Sequence, residues 1–225
     1  MLKLRRTYIL LIVISLSLSS CLQLIEEINL TNSGSGNTTL TINMSSAKTK
    51  IAAIMLLDSI NGYKVPSKKT IAIKTDEVVA YLRTVKGISN VSKKLDFENF
   101  IASVSFSFDN VACLNSINRH IFKELKINTP DNSSYSYSPA ARVFQRRYTY
   151  TKEAAVQYNK LKPEAKNVFK EGSFTSIYRF DNAVSSVSNP LTKVSKSKKA
   201  VMLKTGMMGL ISGKTNISNT ITLLK

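Results

Sequence analysis

Tryptophan is absent from the 225 residues, histidine occurs once, cysteine twice, and 14 acids stand against 32 lysines and arginines. These shortages exclude several kinds of chemistry. A structural zinc site takes about four Cys or His ligands, and His120 with Cys21 and Cys113 makes no such cluster. A hydrolase triad needs a histidine beside a nucleophile and a carboxylate; His120 stands in "INRHIF" with no nucleophile motif around it. The adjacent acids Glu26/Glu27 and Asp76/Glu77 read as strand-edge charge and as first-turn helix charge. "GSG" at 34–36 is followed by neither a helix nor Gly-Lys-Ser/Thr, so it reads as a turn and not a phosphate loop. No run reaches the roughly 20 apolar residues of a membrane-spanning helix, and no repeat of 20–50 residues is present. Neither a catalytic residue, a metal nor a cofactor is expected.

What is present begins at the N-terminus. "MLKLRR" carries Lys3, Arg5 and Arg6 with no acid, and "YILLIVISLSL" follows as eleven residues from Tyr8 to Leu18. A cationic start, a short apolar core and small residues at its end form a secretory signal. The run stops on Leu18-Ser19-Ser20-Cys21, which resembles the lipobox of bacterial lipoproteins. That resemblance implies cleavage before Cys21, a diacylglyceryl group on its thiol and an acylated new amine. Residues 1–20 are then a signal peptide and 21–225 the lipidated chain. Two or three acyl chains make a durable anchor where one is marginal. Leu22, not Asp, follows Cys21, which by the sorting pattern of enterobacteria-like lipoproteins favours the outer over the inner membrane.

Loss of the leader's three cations leaves 29 cations against 14 acids, a mature charge of +15. Such an excess attracts anionic partners: lipid headgroups, lipopolysaccharide or acidic glycans, with an envelope protein as the alternative partner. Nucleic acid is not expected as the partner of an envelope protein. With Cys21 lipidated, Cys113 has no partner for an intramolecular disulfide and reads as a small buried hydrophobe.

Periodicity sets the fold class. "LQLIEEINLTNSGSGNTTLTINMS" reads as a hairpin, with Leu40, Ile42 and Met44 on one half-buried face. Residues 46–60 read as a helix, apolar nearly all round and so buried on more than one side. Ile71 and Ile73 read as extended, and Thr75 as the cap of the helix "DEVVAYLRTVKG". "FENFIASVSFSFD" is the cleanest period-two segment, with Phe100, Ala102, Val104, Phe106 and Phe108 on one face and serines on the other. Asp109 reads as the cap of the next helix, "TPDNSSYSYSP" (129–139) as a loop, and "ARVFQRRYTY" as a strand. A helix interrupted near Pro163 and several short strands complete the chain. Strand pairs alternating with helices, without Gly-rich βα turns, define an α+β fold: one domain with an antiparallel sheet of hairpins packed with several helices.

"LTNSGSGNTTLTINMS", "KGISNVS", "FSFDNVACLN", "YRFDNAVSSVSNP" and "NTITL" resemble segments of uncharacterised lipoproteins of Bacteroidetes-type bacteria. The hairpin after the lipobox also resembles the LppM-type lipoprotein domain, which implies an α+β lipid-binding fold.

One strand stands out as a candidate anion-binding face. In "RVFQRRYTYTK", an extended chain points Arg142, Phe144, Arg146, Tyr148, Tyr150 and Lys152 the same way. Cations interleaved with aromatics hold phosphate and stack on rings; the competing reading is an outward sheet face stabilised by Arg–Tyr stacking. "GMMGLISG" reads as a cavity rim or a packed turn, and Lys193, Lys196, Lys198 and Lys199 as a solvated turn or a headgroup contact. The expectation is a non-enzymatic envelope lipoprotein, tethered through Cys21, that binds or organises an anionic or lipidic component. The alternatives are an accessory subunit of a surface complex and an enzyme without familiar motifs.

Overall fold

The computed structural model describes residues 22–60, 62–124 and 132–225. The leader and Cys21 lie outside the described residues. The fold is α+β, as the strand and helix alternation predicts.

The early hairpin is β1 (Gln23–Leu30) and β2 (Gly36–Asn43). Gly36 is required where it sits: a Cβ there would lie 1.9 Å from the Asn29 carbonyl oxygen. The second pair is β5 (Ile88–Asp96) and β6 (Ile101–Phe108), after a two-residue ribbon of β3 (Ser59–Ile60) and β4 (Tyr63–Lys64). The remaining strands are β7 (Ser133–Ser138), β8 (Val143–Tyr148), β9 (Ser173–Phe180), β10 (Val184–Val187), β11 (Thr192–Val194), β12 (Ala200–Gly206) and β13 (Asn219–Leu223). They form a seven-stranded sheet in the order β11-β12-β9-β1-β2-β6-β5 and a four-stranded sheet in the order β10-β13-β8-β7. Pairing is antiparallel except between β1 and β9, which run parallel with Gln23 opposite Ser173 and Leu30 opposite Phe180.

The helices are α1 (Lys48–Ile54), α2 (Lys68–Thr84), α3 (Cys113–Glu124), α4 (Lys152–Lys160), α5 (Pro163–Lys170) and α6 (Met207–Ile211). Helix α2 starts earlier than Thr75 predicts. The Ser67 hydroxyl caps it by accepting from the Thr70 amide at 3.1 Å, so Ile71 and Ile73 are helical and Thr75 lies inside. It packs along β5, where Lys93 pairs with Asp76 at 2.6 Å. Asn110, not Asp109, leads into α3, its side chain accepting from the Ala112 amide at 2.8 Å. Pro163 occupies the first position of α5, where its missing N–H costs nothing, and this splits α4 from α5.

The core lies between the two sheets and under α2 and α3. Ile28, Leu30, Phe106, Phe108, Tyr178 and Phe180 rise from the large sheet, and Tyr135, Phe144, Ile221 and Leu223 from the small one. Phe144 is fully buried, its ring 5.0 Å from that of Tyr178 and 5.8 Å from that of Phe180. Asn219 and Asn189 hold the crossing between the sheets. Asn219 Oδ1 accepts from the Asn189 amide at 3.1 Å, and Asn189 Nδ2 donates to the Asn216 and Ser218 carbonyls, both at 2.9 Å. Among the described residues the core cluster runs from Ile28 to Leu223.

Three further expectations change. Residues 129–139 read as a loop, but β7 occupies Ser133–Ser138; cross-strand bonding to β8 overrides the polar composition. Phe100 leaves the shared face because it sits in the turn with φ +54°. The inner face also stops short. Thr38 and Phe106 are buried, whereas Leu40 and Ile42, further along the same face, are 41% and 45% exposed. Phe106→Ala should therefore cost about 3–5 kcal/mol, and Leu40→Ala on the same face about 1 kcal/mol. Reversible urea unfolding of both variants checks the contrast; equal losses would contradict the boundary.

Candidate functional site

The one buried acid among the described residues is Glu26. It points inward from β1 between Leu24 and Ile28, and it is only 6% exposed. Register brings its partners to it. Ser176 stands opposite on β9, and Tyr178, two residues on, projects to the same side. From the small sheet, Tyr135 on β7 stands directly opposite Arg146 on β8. The Tyr135 hydroxyl donates to Glu26 Oε1, and the Tyr178 hydroxyl donates to Glu26 Oε2 at 3.3 Å. A single carboxylate thus joins both sheets.

Arg146 completes the group. Its guanidinium lies over the Tyr135 ring, 4.5 Å from the centroid. Nη1 donates to Ser133 Oγ at 2.6 Å and to the Arg147 carbonyl at 3.1 Å, while Nε has no partner among the described residues. Helix α3 positions Tyr135 from the other side. Asn115 Nδ2 donates to the Tyr135 carbonyl at 3.0 Å, and its Oδ1 accepts from the Tyr135 amide at 2.8 Å. This also satisfies the outer edge of β7, which would otherwise be open for strand addition.

The electrostatics follow from burial. Desolvation raises the Tyr135 hydroxyl well above its ordinary pKa, with Arg146 opposing and Glu26 adding. Tyr178 rises for the same first cause, with Glu26 again adding. Burial alone would push the Arg146 guanidinium down, but Tyr135, Glu26 and Tyr178 outweigh it and keep it charged. The tyrosines stay protonated donors and Arg146 stays a cation. All four side chains are almost wholly enclosed, so the group is arranged to hold the sheets together rather than to meet a substrate.

The candidate anion-binding strand divides. Phe144 and Arg146 point inward and are buried; Arg146 is occupied by the cluster and is no part of an outer face. The reason is strand pleat: β8 packs its even-numbered side chains against β1 and β9, and Glu26 makes a cation admissible there. Arg142 lies outside β8, with φ +53°, and donates to the Leu224 carbonyl at 2.9 Å. Tyr148 is half-buried; its amide donates to Ser218 Oγ at 2.9 Å, and burial raises its hydroxyl pKa. Tyr150 lies beyond the strand end, its ring so close to Gly213 that a Cβ there would sit 2.8 Å away. Lys152 is exposed at the start of α4. The structure keeps Tyr148 near both Arg146 and Tyr150, and places Arg142 outside the strand and Lys152 on α4.

Other candidates are accounted for by packing. His120 stacks on Tyr81, with centroids 3.6 Å apart and planes 12° from parallel, joining α3 to α2. Cys113, a free thiol, packs partly buried against the core and Gly87. Met207 packs on Gly172. Among the described residues, no group of three or more His, Cys, Asp or Glu side chains could hold a metal, and no helix is long and apolar enough to cross a membrane.

No protein-family model matches this chain, and no curated protein matches it. The resemblance to Bacteroidetes-type lipoproteins therefore gains no support. Among solved structures, the folded domain of LppM from Mycobacterium tuberculosis, determined by NMR, aligns with 89% of this chain and 88% of its own. Identity is 12% and the TM-score 0.45, and a likeness of that degree assigns no function.

Two measurements test the cluster. Glu26→Ala should cost about 3–5 kcal/mol, because it strands Arg146 as a lone buried cation. Replacing Glu26 and Arg146 together, by Leu and Met, should cost clearly less than the two single changes summed. Additivity would mean that the two do not interact. Tyrosines raised on folding add stability in full below their unfolded pKa of about 10, and that stability is lost as pH rises above it. Stability should therefore fall on the alkaline side of pH 10, and less steeply in Tyr178→Phe, as measured by unfolding across pH 8–11 (a test range chosen to span about one ordinary tyrosine pKa).

Proposed function

We propose that this chain is an envelope lipoprotein, held to a membrane by lipid on Cys21, whose folded part binds or organises an anionic or lipidic component without catalysing a reaction. The observation that carries the reading is Leu18-Ser19-Ser20-Cys21 at the end of a cationic, then apolar, leader. Its position fits the fold: β1 begins at Gln23, two residues after the cysteine, so little chain separates the anchor from the core. A mature charge of +15 favours anionic surfaces, screened over about 8 Å at physiological salt. The non-catalytic part rests on the enclosure of the Glu26 group and on the packing roles of His120 and Cys113. Leu22 after the cysteine favours the outer membrane.

Cys21→Ser should abolish incorporation of a fatty-acid analogue and leave the leader uncleaved by the lipoprotein route. Metabolic labelling and mass measurement of the product check both. Equal labelling of the variant would remove the anchor and the function built on it.

A further inference from the structure

Residues 51–57, "IAAIMLL", are the longest uninterrupted apolar run after the leader. A helix apolar nearly all round is normally surrounded by core. Here α1 contributes no buried residue. Leu56 is 88% exposed and Leu57 50% exposed, immediately after its last turn. Packing within the described residues gives this segment no explanation.

Its place in the fold does. Strands β1 and β9 start, and β2, β5 and β12 end, at one pole of the large sheet, the pole where Leu22 leads back toward Cys21. Helix α1 follows β2 at this pole, and Lys48 Nζ donates to Asn99 Oδ1 in the β5–β6 turn at 3.2 Å. The exposed Leu40 and Ile42 lie on the same half of the sheet. Lys48 and Lys50 precede the apolar run, the exposed Asp58 follows it, and Lys68 sits over the Phe97 ring at 5.9 Å. Of the nearby acids, Asp96 is turned into its own loop, accepting from the Glu98 and Asn99 amides and from Asn99 Nδ2. Apolar side chains with lysines at one flank are what an element lying in an anionic membrane interface presents.

We infer that this pole rests on the bilayer, with Leu56 and Leu57 entering the interface and Lys48 and Lys50 facing anionic headgroups. The inference rests on the anchor reading for its orientation, since Cys21 adjoins the same pole. It also selects between the lysine clusters. The turn with Lys196, Lys198 and Lys199 lies at the opposite pole, where the Lys199 and Lys198 carbonyls accept from the Phe180 and Val184 amides. The eight residues of β1 put the poles about 25 Å apart, well beyond the screening length of about 8 Å. Both cannot meet one flat surface with the strands upright.

The test uses residues 22–225, which carry every described core residue, in flotation with vesicles of phosphatidylglycerol and phosphatidylethanolamine or of phosphatidylcholine alone. The domain should bind the anionic vesicles, and less as salt rises. Leu56→Glu with Leu57→Glu should lower the bound fraction about tenfold with an unchanged melting temperature. Lys48→Gln with Lys50→Gln should lower it and flatten its salt dependence, whereas Lys198→Gln with Lys199→Gln should leave it unchanged. No vesicle binding, binding indifferent to the leucines, or equal loss in the Lys198/Lys199 pair would overturn the inference. So would a dimer that Leu56→Glu with Leu57→Glu dissociates, because a second copy would then cover the run. Fatty-acid labelling of the full chain reads the anchor separately: labelling without leucine-dependent binding sinks the docking pole alone, and the reverse sinks the anchor alone.

Discussion

The fold depends on a carboxylate that has left water. Glu26 is tolerable inside only because two hydroxyls donate to it and a guanidinium stands nearby. Each of those groups comes from a different strand: Tyr135 from β7, Arg146 from β8, Tyr178 from β9. Sliding one sheet over the other would strand a buried charge, which costs more than the loss of any one apolar contact. Hydrophobic burial holds the sheets together without fixing their offset; the Glu26 group fixes it. The asparagines Asn189 and Asn219 do similar work with neutral groups where the chain crosses between the sheets.

Strand and helix alternation was legible where one face is buried and the other wet. The hairpin of β1 and β2, the serine-alternating β6 and the break at Pro163 all announce themselves through local pattern. What was not legible depended on partners far away in sequence. Glu26 falls in phase with Leu24, Ile28 and Leu30, and that inward position was the available signal; its charge argued for the strand edge instead. Tyr135 sits in a run of serines that reads as loop, and only pairing with β8 and the two bonds from Asn115 make it a strand. Arg146 was placed on the correct strand and the wrong surface, because a cation is admitted to a core only when its counter-charge is known to be there. The run 51–57 failed in the opposite sense: apolar composition argued for burial, but among the described residues Ile51, Ile54 and Met55 are only half-buried and Leu56 and Leu57 are exposed.

The protein therefore has an inverted surface logic. A charged group sits at its centre and an apolar segment at its periphery, each against the usual preference. The central exception is resolved by neighbours within the chain. The peripheral one, at the pole where β1 begins, is the segment we infer to rest on the bilayer.

The single parallel pairing has a consequence for how the molecule comes together. Each residue of β1 meets a residue of β9 exactly 150 positions later in the chain. Strands β1, β2, β6 and β5 are antiparallel neighbours joined through nearer segments, and they can assemble as soon as residue 108 is made. Until residues 173–180 arrive, β1 remains an open edge, and the hydroxyls that Glu26 needs are not all in reach. Loop closure over such a span is slow compared with hairpin formation. A chain made from its N-terminus thus carries a half-sheet with an unpaired strand and an unsatisfied acid from residue 108 until residue 180. An exposed strand edge is a template for wrong pairing; an inward acid on that same strand makes a dry, misregistered partner costly to accept. The residue that fixes the finished fold also guards the unfinished one.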